Sequence, residues 1–411
     1  MEMRIIPTGI LPSLVVQMKK FFRVPIASIV LIILALFAVP VFADDFQEGM
    51  DAANRGDFEK AFDVWEPLAK RGNALAQFNL GLMYDKGEGV KRNYKMAVKW
   101  YKLAAKQGVS SAQFNLGWLY SKGKGVRQSF KRAIMWYVRA AKQNNPAAQF
   151  NLGLMYDIGE GVTPDYKRAI KWYRLAAKQN NAQAQFNLAQ LYESGERVAQ
   201  DLKKVVKWYK LAAENGNTLA QLKLGAMFEK GKGVAKNHKK AAKWYKLAAG
   251  QGNEIAQFNL GYMYSRGIGV KRSYSEAVKW YRLSAGQGNV IAQFNLGVFY
   301  IAGKGVRQSY SKAAGWFRLA AKQGDAEAQF RLGMLYEDGD GVEKDPEKAV
   351  RLYRFAADQG HAMAQGNLGW MYINGNGVEE DLDEAAKWYR RSEQSSKTKH
   401  NRNGGPISSL R

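Results

Sequence analysis

The sequence predicts an all-α fold, a right-handed superhelical α-solenoid of about ten antiparallel helical hairpins with a 36-residue repeat. Three regularities predict it. The pair Ala-Gln recurs every 36 residues from Ala76 to Ala364, nine times without an insertion. A Gly-x-Gly-Val loop lies at a fixed distance after the pair, and a second apolar pattern centred on Trp-Tyr lies after the loop. A chain of 411 residues would ordinarily divide into two or three globular domains, but a fixed period points instead to units that contact chiefly their neighbours.

The first 43 residues stand apart. Lys19, Lys20 and Arg23 precede an apolar run from Ile26 to Phe42 broken only by Ser28 and Pro40, and Val41-Phe42-Ala43 supplies a small-residue cleavage pattern before Asp44. This reads as a secretory signal peptide, with Met18-Lys19-Lys20 as a natural start. An uncleaved anchor helix is the alternative, although 17 residues sit at the lower limit for spanning a bilayer. Cleavage after Ala43 leaves no transmembrane span and a periplasmic or secreted mature chain. The sequence has no cysteine, hence no disulfide framework and no thiol nucleophile.

Residues 45 to 71 read as a shortened opening hairpin in which Ala61, Trp65 and Ala69 carry the second-helix pattern. In each later unit the first helix shows Ala76, Leu80, Gly81 and Tyr84 on one face, and Ala189 alone replaces the glycine. The Gly-x-Gly turn ends that helix, with Gly195-Glu196-Arg197-Val198 as the single degenerate copy. Asn93, Ser129, Asp165, Asp201, Asn237, Ser273, Ser309, Asp345 and Asp381 are the N-caps expected for the second helices. Those helices carry Ala97, Trp100, Tyr101, Ala104 and Ala105, an amphipathic spacing that makes the aromatic rings core. They end at Gly72, Gly108, Asn144, Asn180 and their successors, residue types that tolerate a left-handed backbone. The solenoid spans 44–393, and 394–411 is expected to be a disordered basic tail.

Ala-Gln-Phe-Asn-Leu-Gly-x-x-Tyr, Gly-x-Gly-Val and Ala-x-x-Trp-Tyr-x-x-Ala-Ala-x-x-Gly together resemble the Sel-one-like repeat (SLR) family, a branch of the tetratricopeptide-type solenoids. The resemblance covers about residues 45 to 393. It implies adaptors and scaffolds for protein complexes, and for exported bacterial members envelope assembly or host interaction. Disulfide-bridged relatives are linked to β-lactam binding, but this chain lacks the cysteines.

No catalytic constellation, metal set or cofactor motif emerges. His238, His361 and His400 occupy three unrelated repeat positions. Ser121-Lys122-Gly123-Lys124 formally matches the Ser-x-x-Lys of penicillin-recognising enzymes but lies across a glycine turn and lacks the accompanying motifs. A β-lactam-binding or hydrolytic enzyme is therefore the weaker reading, and a structural spacer is a third.

Binding has more support. On the resemblance, the slot Asn79, Asn115, Asn151, Asn187, Lys223, Asn259, Asn295, Arg331, Asn367 lies on or near the concave surface lined by first helices. An amide can donate to and accept from an extended peptide, or it can bond the neighbouring repeat; both readings stand. Trp118, Tyr262 and Trp370 replace the Leu or Met of sibling repeats and are candidates for specific contacts. Charge is the other signal: the full chain is +26, and 58 basic against 35 acidic residues remain without the leader. Lys99, Lys102, Lys171, Arg174, Lys207, Lys210, Lys243, Lys246, Lys279 and Arg282 flank the Trp-Tyr pairs and should form a basic ridge. The ridge is either a solubilising face or an attractor of an acidic protein or anionic surface. Export disfavours nucleic acid as the partner. The last two units turn acidic at the second-helix entrance, which suits a helix N-terminus and a polar solenoid cap.

Overall fold

The computed structural model describes residues 45–196 and 198–403, with side chains to residue 397. The leader and residues 404–411 lie outside them. Every described element is helical, and the residues divide into two units after Asn181. The first unit comprises α1 (45–54), α2 (Phe58–Lys70), α3 (Ala74–Lys86), α4 (Tyr94–Lys106), α5 (Ser110–Lys122), α6 (Phe130–Lys142), α7 (Pro146–Ile158) and α8 (Tyr166–Lys178). The second comprises α9 (Ala182–Ser194), α10 (Leu202–Glu214), α11 (Thr218–Lys230), α12 (His238–Gly250), α13 (Glu254–Arg266), α14 (Tyr274–Gly286), α15 (Val290–Ala302), α16 (Tyr310–Lys322), α17 (Ala326–Asp338), α18 (Pro346–Asp358), α19 (Ala362–Ile373) and α20 (Leu382–Asn403). Each odd-numbered helix pairs with the even-numbered helix after it as an antiparallel hairpin.

The punctuation read from the sequence is present. Asn93 accepts hydrogen bonds from the N–H groups of Lys95 and Met96, and Asp381 accepts one from Glu384. Asn144 and Asn180, at φ 61° each, are the only left-handed non-glycine residues among those described. The first helices have N-caps too, which the sequence reading did not identify. Asn73 and Asn253 each accept from the N–H three residues on, whereas Val109 has no capping side chain and His361 caps through its ring nitrogen.

The second glycine of the loop has a further role. A Cβ on Gly125 would stand 2.4 Å from the carbonyl carbon and oxygen of Tyr94, at the start of the preceding second helix. The loop therefore packs backbone to backbone on the previous hairpin, and only hydrogen fits between them.

Alanines, the first-helix leucines such as Leu80 and Leu116, and the rings of the second helices fill the core. Tyr101 and Tyr137 lie across Gly81 and Gly117 and are essentially inaccessible to solvent. Phe78 meets Tyr101, and Phe114 meets Tyr137, at 5.9 and 5.7 Å between centroids. Each buried ring contributes on the order of 2–3 kcal/mol by leaving water. The tryptophans are buried at 65, 100, 136, 280 and 388 and half-buried at 172, 208, 244 and 316, in keeping with a core role.

The glutamine of the Ala-Gln pair is buried and ties three segments together. Gln77 Nε2 donates to Ala69 O of the preceding hairpin at 3.0 Å, while its Oε1 accepts from Gln107 Nε2 at 2.8 Å. Gln107 also donates to Gly72 O at 2.9 Å. The pattern recurs at Gln113, Gln149, Gln221, Gln257, Gln293 and Gln329. Gln365 retains its bond to Ala357 O, but its Oε1 has no partner among the described residues because the donor position is Ser395.

The C-terminal end departs from expectation twice. Residues 394–403 continue α20 as helix, since nothing between Glu393 and Asn403 is a glycine or proline. The acidic entrance does cap α20, yet the end of the unit is not polar: Ile373, Leu382 and Tyr389 are exposed.

Candidate functional site

Positions i, i+4 and i+7 of a helix share one face, so the first helices present Leu75, Asn79 and Leu82 and their repeats together. Leu75, Leu219, Ile255, Ile291 and Met363 are about half exposed there. Tyr262, Val298 and Trp370 add exposed apolar surface on the same face, while Trp118 is half-buried with Lys124 Nζ 4.8 Å from its ring centre. The aliphatic row at position 75 is a feature the sequence reading missed; a tally of apolar residues outside the core spacing would have revealed it.

The asparagines between these residues are half-buried and engaged inside the protein. Asn115, Asn259, Asn295 and Asn367 stand near the hydroxyls of Tyr101, Tyr245, Tyr281 and Tyr353 in the preceding hairpin, each opposing the rise that burial imposes on the phenol. Asn79 reaches Met50 Sδ at 3.7 Å, Asn151 donates to Ala147 O, and Asn187 accepts from Gln183. Arg331 pairs with Glu327 at 2.9 Å and Lys223 with Glu193 at 3.6 Å.

Several of the buried tyrosine hydroxyls, those of Tyr101, Tyr245 and Tyr353 among them, donate to an acidic residue sixteen positions earlier, while at Tyr281 that position is Ser265. Tyr209 bonds Glu193 at 2.7 Å and Tyr245 bonds Glu229 at 2.6 Å. Burial, and then the carboxylate, push these phenols well above their ordinary value; Tyr137, bonded to Ser121 instead, is pushed up to about 12, chiefly by burial. Burial also raises the Asp85 carboxyl. At Glu193 burial is outweighed by hydrogen bonds from Tyr209 and Lys232 and the charge of Lys223, so its carboxyl lies below the usual range.

All ten basic-ridge residues are exposed on the second helices. They are not equally free: Arg282 donates to Tyr300 Oη at 2.6 Å, Lys210 pairs with Glu214 at 3.8 Å, and Lys99, Lys207 and Lys279 lie over adjacent tryptophan rings. Exposed Leu103, Leu247, Leu283, Leu319 and Phe355 stand beside them. Between α16, α17 and α18 an open cleft of about 480 Å³ is lined by Arg318, Lys322, Leu352 and Phe355.

Of the residues considered for chemistry, Ser121 and His361 have structural partners, whereas His238 Nδ1 is buried without one among the described residues and the His400 side chain lies outside them. Ser121 Oγ donates to Trp118 O at 2.8 Å. His361 Nδ1 accepts from Ala364 N–H, and its Nε2 lies 2.9 Å from Glu327. Among the described residues no group of three or more His, Cys, Asp or Glu side chains could hold a metal ion, and no helix is long and apolar enough to cross a membrane.

The Sel1 repeat profile matches nine consecutive segments, 74–109, 110–145, 146–181, 182–217, 218–253, 255–289, 290–325, 326–361 and 362–395, each beginning with a first helix. A protective antigen of uropathogenic Escherichia coli with an SLR fold is similar at 30% identity, with a TM-score of 0.62 over 90% of this chain and 96% of that one. A Sel1 repeat protein from Oxalobacter formigenes is similar at 33% identity, with a TM-score of 0.55 over 75% and 89%. No curated protein sequence gives a significant match. Nine profile matches in register with nine hairpins place this chain in the Sel1 repeat family.

Proposed function

We propose that the chain is an exported, non-catalytic scaffold that binds a protein or peptide on the exposed face of its first helices. The observation that carries this is the row Leu219, Ile255 and Ile291, joined by Tyr262 and Val298: five sizeable apolar side chains left in solvent on consecutive first helices. Such a contiguous patch marks an interaction surface more often than a solvated one. The half-buried amides beside it can rotate toward a partner backbone, although their intramolecular bonds must then be exchanged. Capture from a cell-envelope extract followed by mass spectrometry tests the reading: a saturable partner is expected, and its loss in Ile255→Asp/Ile291→Asp would place it on this face. Capture of nothing saturable leaves a structural spacer.

Export rests on the basic and apolar leader. N-terminal sequencing should find a mature chain beginning near Asp44; an intact, membrane-held chain contradicts it. A second reading draws on the exposed leucines between the lysines and arginines of the second helices, a composition suited to an acidic protein or anionic surface. With Lys171, Arg174, Lys207, Lys210, Lys243 and Lys246 reversed to Glu, the helices should persist while such binding falls at least about tenfold, or some 1.4 kcal/mol. Binding that ignores salt, or is unchanged in the folded variant, makes the ridge a solubilising surface.

A further inference from the structure

The last hairpin leaves its packing open, and its siblings supply the control. The rings of Tyr209, Tyr245, Tyr281, Phe317 and Tyr353 are at most 1% exposed, whereas the equivalent Tyr389 is 37% exposed. Leu382, which opens α20, is 63% exposed; its counterparts Tyr274, Tyr310 and Pro346 lie against the glycine loops of the hairpins that follow them, at Gly305, Gly341 and Gly377.

The residue types change at the same place. Tyr209, Tyr245 and Tyr353 bond Glu193, Glu229 and Glu337, and where the ring is Phe317 the acidic position becomes Ile301. Polar acceptor and hydroxyl thus appear and vanish together. Tyr389 breaks the rule: it keeps its hydroxyl while the matching position is Ile373, 42% exposed. Gly366 stands where α9, α13, α15 and α17 carry phenylalanine. The outcome is an apolar patch of Ile373, Leu382, Ala386 and Tyr389 around a hydroxyl that no side chain of its own hairpin is placed to accept.

We propose that this face is the docking site for a second copy of the chain, with the two α20 helices packed antiparallel. Charge points to a copy of itself. Asp381, Asp383 and Glu384 crowd the start of α20, and Lys387, Arg390, Arg391 and Lys397 follow, so antiparallel pairing sets the acidic start of each helix beside the basic half of the other. A two-fold interface needs only one self-complementary patch. Head-to-tail stacking would need an apolar surface at the other end, but no exposed large apolar side chain lies in α1 or α2, where Phe46 is stacked on Trp65. Finally, α20 has 22 residues against 12 in α19, so its distal turns have no mate within the hairpin.

Sedimentation equilibrium of the purified protein tests this. A reversible dimer in the micromolar range is expected, and Leu382→Lys/Tyr389→Lys should weaken it at least about tenfold without loss of helicity. Should that variant unfold, Leu382→Ser/Tyr389→Ser makes the same comparison more gently. Asp383→Lys/Glu384→Lys and Lys387→Glu/Arg390→Glu/Arg391→Glu should each be monomeric, and mixing them should restore a heterodimer. A protein that stays monomeric to hundreds of micromolar overturns the proposal, as does a dimer that these variants leave intact or charge variants that fail to complement.

Discussion

A buried glutamine on each first helix holds two hydrogen bonds that an apolar side chain of its size cannot make. Gln293 donates to Ala285 O at 3.1 Å and accepts from Gln323 at 2.9 Å. Gln293→Leu removes both bonds, although Ala285 O keeps the N–H of Gly288 and Gln323 keeps Gly288 O, and at about 0.5–1.5 kcal/mol for each lost bond we expect a loss of about 1–3 kcal/mol in urea unfolding. At the other end of the array Gln365 Oε1 awaits a donor, and Ser395 occupies the position. Ser395→Gln should add about 1 kcal/mol, the usual net value of a hydrogen bond, provided the helix at 395 allows the reach. A neutral Gln293→Leu would mean that the amide is a passive filler. The Ala-Gln pair was plain in the sequence, but its partners lie 8 residues before and 30 after, so only the fold brings them together.

Among the elements, the loops separate two roles of glycine. Gly108 has φ 94° with nothing within 4 Å of an added Cβ, while Gly125 has φ 70° and the Tyr94 carbonyl at 2.4 Å. Gly108→Ala should cost about 1–2 kcal/mol from backbone strain alone. Gly125→Ala should cost clearly more, because two backbones must separate; equal melting temperatures for the two variants would contradict this. Gly87→Val, at φ 81°, should cost about 1–3 kcal/mol and loosen hydrogen exchange mainly in α3, α4 and their neighbours, because repeats couple chiefly to what they touch. Uniform loosening would argue against that modularity. Caps such as Asn93 and left-handed ends such as Asn144 were legible because their chemistry is local. The approach of Gly125 to Tyr94, the bond from Arg282 to Tyr300 and the pairing of Tyr209 with Glu193 were not, since each joins distant positions. A polar composition without an apolar stripe gave no sign of helix after Glu393, yet α20 continues to Asn403.

Across the whole molecule, repetition multiplies small effects. Tyr101, Tyr137, Tyr209, Tyr245, Tyr281 and Tyr353 all have raised folded-state values, with burial the largest cause. An unfolded tyrosine ionises near pH 10, so above that pH the folded chain binds more protons than the unfolded one and stability falls as pH rises. Tyrosinate absorbance and loss of helical circular dichroism should therefore appear together above about pH 10 for these rings. All tyrosines ionising with the helices intact would show that the phenols are accessible. The candidate binding faces read differently at this scale: the basic ridge was visible as a charge pattern, whereas the aliphatic row from Leu219 to Ile291 was overlooked in the sequence and is plain from its exposure. The central claim is that the partner is held by that row. Its most direct test is the affinity of the captured partner at physiological salt for three proteins: the unaltered chain, Ile255→Asp/Ile291→Asp, and the chain with its six ridge residues reversed to Glu. We expect the first-helix variant to lose at least about tenfold and the ridge variant to change little. The opposite order, with both variants folded, would contradict the account.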